Sequence, residues 1–374
     1  MTTPPPAQAG MPLADVDTPA LLIEMDAFER NLDTMARGIA AAGVRLRPHA
    51  KTHKCAPIVR RQMTLGAVGA CCQKVSEAEA LVQAGVPDVL VSNQVVGGRK
   101  IARLTSMASE AKVGVCVDDA HNVAEIGAAA DGAGVSIDVL VEIDVGMSRC
   151  GVAPGDEALT LARQVAATAG LRFTGLQAYH GLAQHIRSHA ERRAATDAAI
   201  DLTRSTVDLL GRQGIPCEIV AGAGTGTWEF EAASGVYNEL QAGSYVFMDA
   251  DYAQNLDATG APVATFEQAL FIYSTVVSSP VPERAVVDAG LKALSAESGA
   301  PEVADIESAR VAGVSDEHTT IDLSNSNARL AVGDGVKLIP SHCDPTANLH
   351  DWYVCVRNDR VESLWPVVAR GCIW

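Results

Sequence analysis

The sequence predicts an α/β protein in which a (β/α)8 TIM-type barrel is followed by a smaller, mostly β domain. Eight short apolar, β-branched segments follow one another between residues 44 and 245, and most gaps between them have helical spacing. Eight buried strands that alternate with helices favour a closed parallel barrel over an open doubly wound sheet. From about residue 262 the segments are separated by Gly, Asp, Asn and Pro, which is typical of β structure.

Residues 1–17 form a proline-rich lead-in that we expect to be loosely ordered. Residues 20–24 form a short apolar strand that we expect to pack with the β domain, and residues 26–42 have helical spacing after an aspartate cap. The predicted barrel strands are 44–48, 70–75, 88–92, 113–118, 138–144, 173–179, 217–221 and 239–245. The helices predicted between them include 76–84, 120–130, 156–169 and 186–211, with a poor helix at 227–237.

The second domain is predicted to contain strands 269–277, 284–287, 336–339, 352–356 and 361–366. We therefore place the domain boundaries at 1–25 for the lead-in and first strand, 26–261 for the barrel and 262–374 for the β domain. Within the barrel, Ser76 and Glu79 have the spacing of a capping box at the start of a helix.

The composition argues against several classes of protein. A net charge of −16 disfavours nucleic acid as a partner, because nucleic-acid binding depends on a basic patch. No apolar run reaches the ~18 residues that a membrane span requires, and the N-terminus M-T-T-P-P-P-A-Q-A-G does not resemble a secretory signal. Nine cysteines, none in a C-x-x-C pair, indicate reduced thiols, so we expect a cytoplasmic protein.

The sequence V-R-L-R-P-H-A-K-T-H-K-C at residues 44–55 places four nitrogen-bearing side chains on one face of a strand, because side chains alternate. They are Arg45, Arg47, His49 and Lys51. Such a face is costly to bury unless its groups are paired or bind a ligand. A solvated or ion-paired face is one explanation; the other is that Lys51, one of only seven lysines, is a covalent anchor. Lys54 is the competing anchor, but it lies further along the chain and is expected to point elsewhere.

In a parallel barrel the reacting groups lie at the C-terminal mouth, where the strands end. The polar residues predicted there are His49, Lys51, Gln73, Asn93, Asp144, Arg149, Tyr179, His180 and His185. The seventh strand leads into A-G-A-G-T-G-T at residues 221–227, whose backbone N–H groups and hydroxyls suit a phosphate. A plain tight turn is the alternative, and the position after the seventh strand favours the phosphate.

A phosphate site that faces a strand-end lysine across one barrel suggests pyridoxal 5′-phosphate (PLP) as cofactor. The lysine binds the aldehyde, the phosphate holds the other end, and the ring accepts electrons. Arg149, in M-S-R-C-G-V, lies at a suitable strand end to contact the ring nitrogen. The alternative for Arg149 is an ordinary surface or ion-paired arginine.

A second candidate site is S-H-C-D-P-T-A-N-L, residues 341–349. His342 and Asp344 are two residues apart, on one side of an extended segment, and offer an imidazole and a carboxylate to Mn, Mg, Co or Zn. Cys343 points the other way and is not counted as a ligand. A hydrogen-bonded loop without metal is the alternative, because two ligands at this spacing are not a strong metal motif.

These motifs resemble the metal-activated D-threonine aldolases, which belong to the alanine-racemase-type (fold type III) class of PLP enzymes. The resemblance covers nearly the whole chain. The chain is also similar to 3-hydroxy-D-aspartate aldolase and D-serine dehydratase. Its motifs include R-P-H-A-K-T-H-K-C, V-E-I-D-V-G-M-S-R-C-G-V, Y-N-E-L-Q-A-G-S-Y-V-F-M-D-A-D-Y and H-C-D-P-T-A-N-L-H-D-W. One departure is A-G-A-G-T-G-T, where relatives often have three consecutive glycines.

The resemblance implies a D-β-hydroxy-α-amino acid as substrate, glycine and an aldehyde as products, and a homodimer. It implies that Lys51 anchors PLP, that His185 is the acid/base, and that manganese, or else Mg²⁺ or Co²⁺, binds His342 and Asp344. The cofactor-binding residues expected besides Lys51 are Gln73, Arg149, Tyr179, Gly222, Gly224, Thr225 and Tyr245. His49 is expected either to take part in the chemistry or to orient Lys51, and Arg47 and His49 to lower the pKa of Lys51 through like charge.

Four alternatives remain open from the sequence. A 3-hydroxy-D-aspartate aldolase needs a cation for the second carboxylate, and the sequence assigns none. A D-serine dehydratase-like lyase is disfavoured because its relatives carry cysteine two residues after the metal histidine, where this chain has Asp344. A non-catalytic PLP carrier resembles a barrel alone, and a barrel hydrolase that uses only the metal would not bind PLP.

Overall fold

The computed structural model describes residues 4–374 and contains two β-sheets, one of eight strands and one of nine. The chain enters through β1 (Ala20–Glu24) and α1 (Met25–Ala42). The eight-stranded sheet contains β2 (Arg45–Leu46), β3 (Ala70–Cys72), β4 (Asp88–Gln94), β5 (Lys112–Val117), β6 (Ile137–Glu142), β7 (Leu171–Ala178), β8 (Ile219–Gly222) and β9 (Glu239–Leu240). Between them lie α2 (Ala56–Thr64), α3 (Val75–Gln83), α4 (Gly98–Met107), α5 (Ala120–Ala133), α6 (Asp156–Ala167), α7 (His189–Arg212) and α8 (Trp228–Ala232).

The eight-stranded sheet closes into the predicted barrel. All its strand pairs are parallel, in the order β2-β9-β8-β7-β6-β5-β4-β3. The first and last strands meet through a parallel bridge between His49 and Cys71, where the Cys71 N–H donates to the Pro48 carbonyl at 2.9 Å. A small apolar cluster that includes Leu90, Cys116 and Leu140 fills the lumen, while alternate strand residues pack outward against the helices.

A belt of ion pairs surrounds the N-terminal end of the barrel. We define the rim belt as Arg47, Asp88, Lys112, Asp138, Arg172, Glu218 and Glu239. Arg47 lies 2.8 Å from Glu239 and 2.6 Å from Asp88, and its side chain is only 5% exposed. Arg47 is therefore a paired structural residue, and the prediction that it acts on Lys51 is wrong.

The nine-stranded sheet forms the second, mostly β domain. After the barrel the chain forms β10 (Leu270–Val281), β11 (Arg284–Val287), β12 (Glu302–Val303), β13 (Arg310–Val314), β14 (Thr319–Asp322), β15 (Gly335–Ile339), α9 (Cys343–Ala347), β16 (Trp352–Arg357) and β17 (Arg360–Pro366). Strand β1 completes this sheet from within, since it pairs antiparallel with β10 and parallel with β16. The five strands predicted here all occur, whereas β12, β13 and β14 were not predicted.

The lead-in is packed rather than loosely ordered, so that expectation is wrong for the residues described; residues 1–3 lie outside them. Ala7, Leu13 and Val16 are buried in one apolar cluster with residues of β1, β10, β16 and β17. The Gly10 N–H donates to the Val361 carbonyl at 2.7 Å, and the chain therefore covers an edge of the sheet. Among residues 4–374, no helix is both long and apolar enough to cross a bilayer.

Two helix caps also differ from prediction. Helix α1 is capped by Glu24, whose carboxylate accepts from the Ala27 N–H at 2.8 Å, rather than by an aspartate. Helix α3 is capped at Lys74, two residues before the predicted cap Ser76, and Glu77 accepts the Lys74 N–H at 3.0 Å. Ser76 instead donates to the Trp374 carbonyl, and no Ser76–Glu79 box forms.

Candidate active site

A cavity of about 510 Å³ opens at the C-terminal mouth of the barrel. Of the predicted site residues, those that line it are His49, Lys51, Gln73, Arg149, Tyr179, His185, Gly224 and Thr225. They come from the segments that follow five strands, β2, β3, β6, β7 and β8, as expected where parallel strands meet at one edge. His342 and Asp344 reach the same place from the β domain, at the start of α9.

Lys51 lies in a short 3-10 turn, Ala50–Thr52, directly after β2. Its Nζ is 2.7 Å from Asp344 Oδ2, and this carboxylate raises the pKa of Lys51. The predicted lowering of the Lys51 pKa is therefore wrong. Burial alone would raise the pKa of Asp344, but the charges of Lys51 and His342 and the hydrogen bonds from Lys51 and Thr52 together hold that pKa below its usual range. Lys54 points away, to Glu77 at 3.1 Å and to Asn348.

His49 is buried beside Lys51 and is uncharged. Burial, followed by the nearby charge of Lys51, holds the pKa of His49 well below its usual value. Its Nδ1 accepts the Lys51 backbone N–H at 3.4 Å, and its Nε2 faces Ser92 Oγ and the Gln73 amide at 3.1 Å each. These contacts fix the ring next to Lys51, and the catalytic role of His49 stays a prediction.

The predicted phosphate loop forms one half of an anion cradle, which we define as residues 223–225 and 243–244. Within residues 4–374, none of the backbone N–H groups of Ala223, Gly224 and Thr225 donates to a protein acceptor, nor do those of Gly243 and Ser244. Such N–H groups are normally paired when they are buried, so five that are not make a suitable anion site. The cradle is therefore chemically suited to a phosphate.

The geometry of the cradle explains its small residues. Ala223 has φ +67°, a left-handed conformation in which alanine is strained and glycine is not. A Cβ at Gly222 would lie 2.3 Å from the Ala178 carbonyl oxygen, so Gly222 supports the loop from behind the cavity. Tyr245 also lies behind it: its backbone N–H donates to Thr225 Oγ1 at 3.0 Å, and its hydroxyl accepts from Gln62.

Arg149 is exposed at the cavity wall and forms no ion pair with any carboxylate of the described chain. Its guanidinium carbon lies 5.6 Å from the centre of the Tyr179 ring. The loop before it is held by Asp144, whose Oδ1 accepts the N–H groups of Gly146, Met147 and Ser148 at 2.9 to 3.0 Å. These hydrogen bonds lower the pKa of Asp144, and they leave Arg149 available to a ligand.

His185 faces the cavity and is oriented by a carboxylate that sequence reasoning missed. Its Nδ1 lies 2.5 Å from Asp251 Oδ2, and the other oxygen of Asp251 accepts from Arg187. With Nδ1–H donating to Asp251, Nε2 is the nitrogen free to exchange a proton. Asp251 and the cavity-lining Tyr252 lie in the motif M-D-A-D-Y, where two closely spaced carboxylates were the available signal.

His342 and Asp344 have a geometry that fits two ligands of one divalent cation. His342 Nε2 and Asp344 Oδ1 are 4.0 Å apart, which leaves room for a cation with bonds of about 2.1 Å to each. His342 Nδ1 is hydrogen-bonded to Glu297, the contact that typically orients a metal-bound imidazole. Among residues 4–374 no group of three or more His, Cys, Asp or Glu side chains is placed to hold one metal ion, so further ligands would have to be water or substrate.

Comparison with known proteins gives matches over both domains. The family model for the alanine racemase N-terminal domain matches residues 23–251, and a model for a serine dehydratase domain matches residues 269–356. The chain is 48% identical to a D-threonine aldolase of Arthrobacter sp, over 98% of this chain and 96% of that protein. It is 46% identical to a 3-hydroxy-D-aspartate aldolase of Paracoccus denitrificans (strain Pd 1222), over 98% and 95% of the two chains.

The fold is equally close to that of a solved relative. The crystal structure of D-threonine aldolase from Filomicrobium marinum superposes with a TM-score of 0.95 at 50% sequence identity. The match covers 99% of this chain and 100% of that chain, so both domains and their arrangement are shared.

Proposed function

The chain belongs to the D-threonine aldolase family of alanine-racemase-type (fold type III) PLP enzymes, and we propose that it is a PLP- and metal-dependent carbon–carbon lyase. Its substrates are D-threonine and related D-β-hydroxy-α-amino acids, which it cleaves to glycine and an aldehyde. The observation that carries this proposal is the pairing, in one cavity, of Lys51 with the unpartnered N–H groups of the anion cradle. A lysine and a phosphate site facing each other are what PLP requires.

The chain's residues fit PLP at both ends of the cofactor. The cradle would hold the phosphate, Lys51 would hold the aldehyde end, and Arg149, which has no ion pair in the described chain, would lie near the ring nitrogen. When bound, PLP supplies an electron sink for the pair of electrons released as the Cα–Cβ bond breaks. Because His49 is uncharged and fixed, it packs beside Lys51 without repelling it.

The proton of the substrate β-hydroxyl is the other requirement of the reaction. His185 Nε2 takes this proton, while Asp251 holds the ring in one tautomer and stabilises the imidazolium that forms. We assign a divalent cation, manganese first and Mg²⁺ or Co²⁺ as alternatives, to His342 and Asp344. A cation there would lower the pKa of a hydroxyl bound to it.

A substrate panel tests the proposal. Purified protein with PLP and manganese is offered D-threonine, L-threonine, 3-hydroxy-D-aspartate and D-serine, and aldehyde and keto-acid products are distinguished. We expect acetaldehyde and glycine from D-threonine and no product from L-threonine. A keto acid from D-serine without aldehyde from D-threonine would overturn the aldolase assignment. A much higher kcat/KM for 3-hydroxy-D-aspartate than for D-threonine would make 3-hydroxy-D-aspartate the assigned substrate.

A matched pair of histidine variants tests the metal. His342→Ala should retain the visible absorbance of bound PLP but lose metal-stimulated activity, because the cation loses its nitrogen ligand. His318→Ala, an exposed histidine of the same domain, should respond to manganese as the parent protein does. Full activity of the parent protein after treatment with EDTA would contradict the metal role.

We also propose a homodimer located in the cytoplasm, with a small D-amino acid as substrate and neither nucleic acid nor membrane as partner. The free state of all nine cysteines is compatible with a reducing compartment. Light scattering on the eluting peak of a sizing column tests the dimer, and a mass of about 39 kDa, that of one chain, would contradict it.

A further inference from the structure

Glu231 is a buried acid in the segment that follows the first half of the anion cradle. It lies on α8, the short helix that follows the cradle, and only 3% of its surface is exposed. Its Oε1 accepts a hydrogen bond from Thr227 Oγ1 at 2.8 Å. Its Oε2 is buried and has no hydrogen-bond partner in the described chain. A buried carboxyl group with one oxygen unpartnered calls for an explanation in a site that has to bind an anion.

Thr227 connects Glu231, through one further side chain, to Gly226, the residue that follows Thr225 of the cradle. Thr227 Oγ1 accepts from Gln184 Nε2 at 2.8 Å, and Gln184 Oε1 accepts the Gly226 N–H at 3.0 Å. Gln184 is fully buried and lies so close to the loop that a Cβ at Gly224 would meet its Oε1 at 2.5 Å. The chain of hydrogen bonds therefore fixes the loop from the side opposite the cavity.

The same chain also reaches the segment that carries His185. Gln184 precedes His185 in the 3-10 turn Leu182–His185, and its backbone carbonyl accepts from Asn255 Nδ2 at 2.9 Å. A shift of Gln184 would therefore move both the phosphate loop and the acid/base residue. This makes Glu231 the buried end of a support shared by two parts of the site.

The surroundings of Glu231 favour its uncharged form. Burial raises the pKa of Glu231 to about 8, and the hydrogen bond from Thr227 opposes that shift only in part. The titratable groups that face it are Tyr237 and Tyr179, and burial raises the pKa of both phenols, so neither supplies a charge near neutral pH. No cation contributes to the pKa of Glu231.

We propose that Glu231, in its protonated form, is a positioning residue for the anion cradle, acting through Thr227 and Gln184. It does not touch the cofactor. Its ionisation places a negative charge behind the N–H groups that bind phosphate and so weakens cofactor retention. The proposal rests on the proposed function, in which the cradle holds the phosphate of PLP.

Cofactor retention as a function of pH tests this directly. The dissociation constant of PLP is measured by equilibrium dialysis from pH 6.5 to 9.5 for the parent protein, Glu231→Gln and Glu229→Gln. Ionisation of PLP and of Lys51 affects all three alike and cancels in the ratio of two dissociation constants. The dissociation constant of the parent protein divided by that of Glu231→Gln should rise about tenfold or more from pH 7 to pH 9.5. Glu229 is a second glutamate of the same helix, and the dissociation constant of Glu229→Gln should follow that of the parent protein.

The outcomes separate the two proposals. A ratio that stays constant with pH overturns the role of Glu231 while the proposed function stands. A parent protein without the visible absorbance of bound PLP at any pH overturns the proposed function itself.

A second pair of variants tests the role of Glu231 if Glu231→Gln does not fold. Thr227→Val removes the hydroxyl that joins Glu231 to Gln184, whereas Thr227→Ser keeps it. Thr227→Val should weaken PLP binding by about 3- to 10-fold at pH 7, the worth of one buried hydrogen bond, and flatten the pH dependence. Equal pH profiles for the two variants would overturn the proposal.

Discussion

At the N-terminal end of the barrel, every charge of the rim belt has an opposite charge within 3.7 Å. At the C-terminal mouth two sets of polar groups are left for a ligand: the five backbone N–H groups of the anion cradle, which have no acceptor in the described chain, and the guanidinium of Arg149, which has no carboxylate partner there. Lys51 has a carboxylate partner, Asp344, which comes from the other domain. Satisfied polar groups stabilise a fold, whereas unsatisfied ones that face a cavity are available for a ligand.

One stretch of sequence connects the two ends. Arg47 and Lys51 are four residues apart and fall on the same face by alternation, yet Arg47 belongs to the rim belt and Lys51 to the mouth. Depth along the barrel axis therefore decides whether a cation is structural or functional. The predictions below test this difference, in order of decreasing effect.

The largest effect is expected from Lys51→Arg. Arginine keeps the positive charge next to Asp344 but cannot bind the PLP aldehyde, so the visible absorbance should disappear and kcat/KM should fall by about 10³-fold or more. The same change at Lys54, whose ammonium contacts Glu77, should keep the absorbance and leave activity within about threefold of the parent protein. The reverse pattern would make Lys54 the anchor.

Arg47→Met should cause the largest loss of stability. The change removes the buried cation that Glu239 and Asp88 share and leaves them only the more exposed Arg45 and Lys112, which costs about 3–5 kcal/mol. Urea unfolding measures the loss, and the specific activity of the protein that remains folded should be unchanged. A fall in activity at constant stability would show that the rim belt contributes to the chemistry.

Asp251→Asn should reduce kcat by about 100-fold. The amide cannot stabilise a positive charge on His185, so proton transfer slows while PLP stays bound. Titration of the visible absorbance with PLP checks that binding is intact. Asp257→Asn, at a half-buried aspartate that caps its own turn, is the control and should have normal kcat.

Arg172→Met should have the smallest effect. Arg172 belongs to the same rim belt as Arg47, but its side chain is 46% exposed and its pairs with Asp138 and Glu218 are screened by water. We expect a loss of about 0.5 kcal/mol by urea unfolding. A loss as large as that of Arg47→Met would mean that the belt acts as one network rather than through its buried member.

The sequence was informative where burial imposes a pattern. All eight barrel strands were predicted because each is a short apolar run in a regular series with helices. Strands β12 and β13 were missed because they are short and largely exposed, so neither alternation nor hydrophobicity marks them. Alternation also could not assign depth, which is why Arg47 was placed beside Lys51.

For the site, the sequence predicts which residues reach the cavity but not which distant residues contact them. The strand-end position of Lys51, Arg149 and His185 follows from the barrel, and the structure brings all three to one cavity. The partners that orient them do not follow from it: Asp251 lies 66 residues from His185, and Glu297 lies 45 residues from His342. Each pair forms within one domain, the first in the barrel and the second in the β domain, so only the tertiary folding of that domain brings its members together.

The place of β1 in the second sheet has a consequence for how the chain is made. Leu21 pairs with Ile272 on one side and with Tyr353 on the other. Strand β1 is synthesised first and therefore cannot pair until β10 and β16 have been synthesised. All eight barrel strands are translated in the interval and can close first. A fragment that starts at residue 262 would have open edges on β10 and β16 and should aggregate, so the β domain cannot be expressed as an independent module.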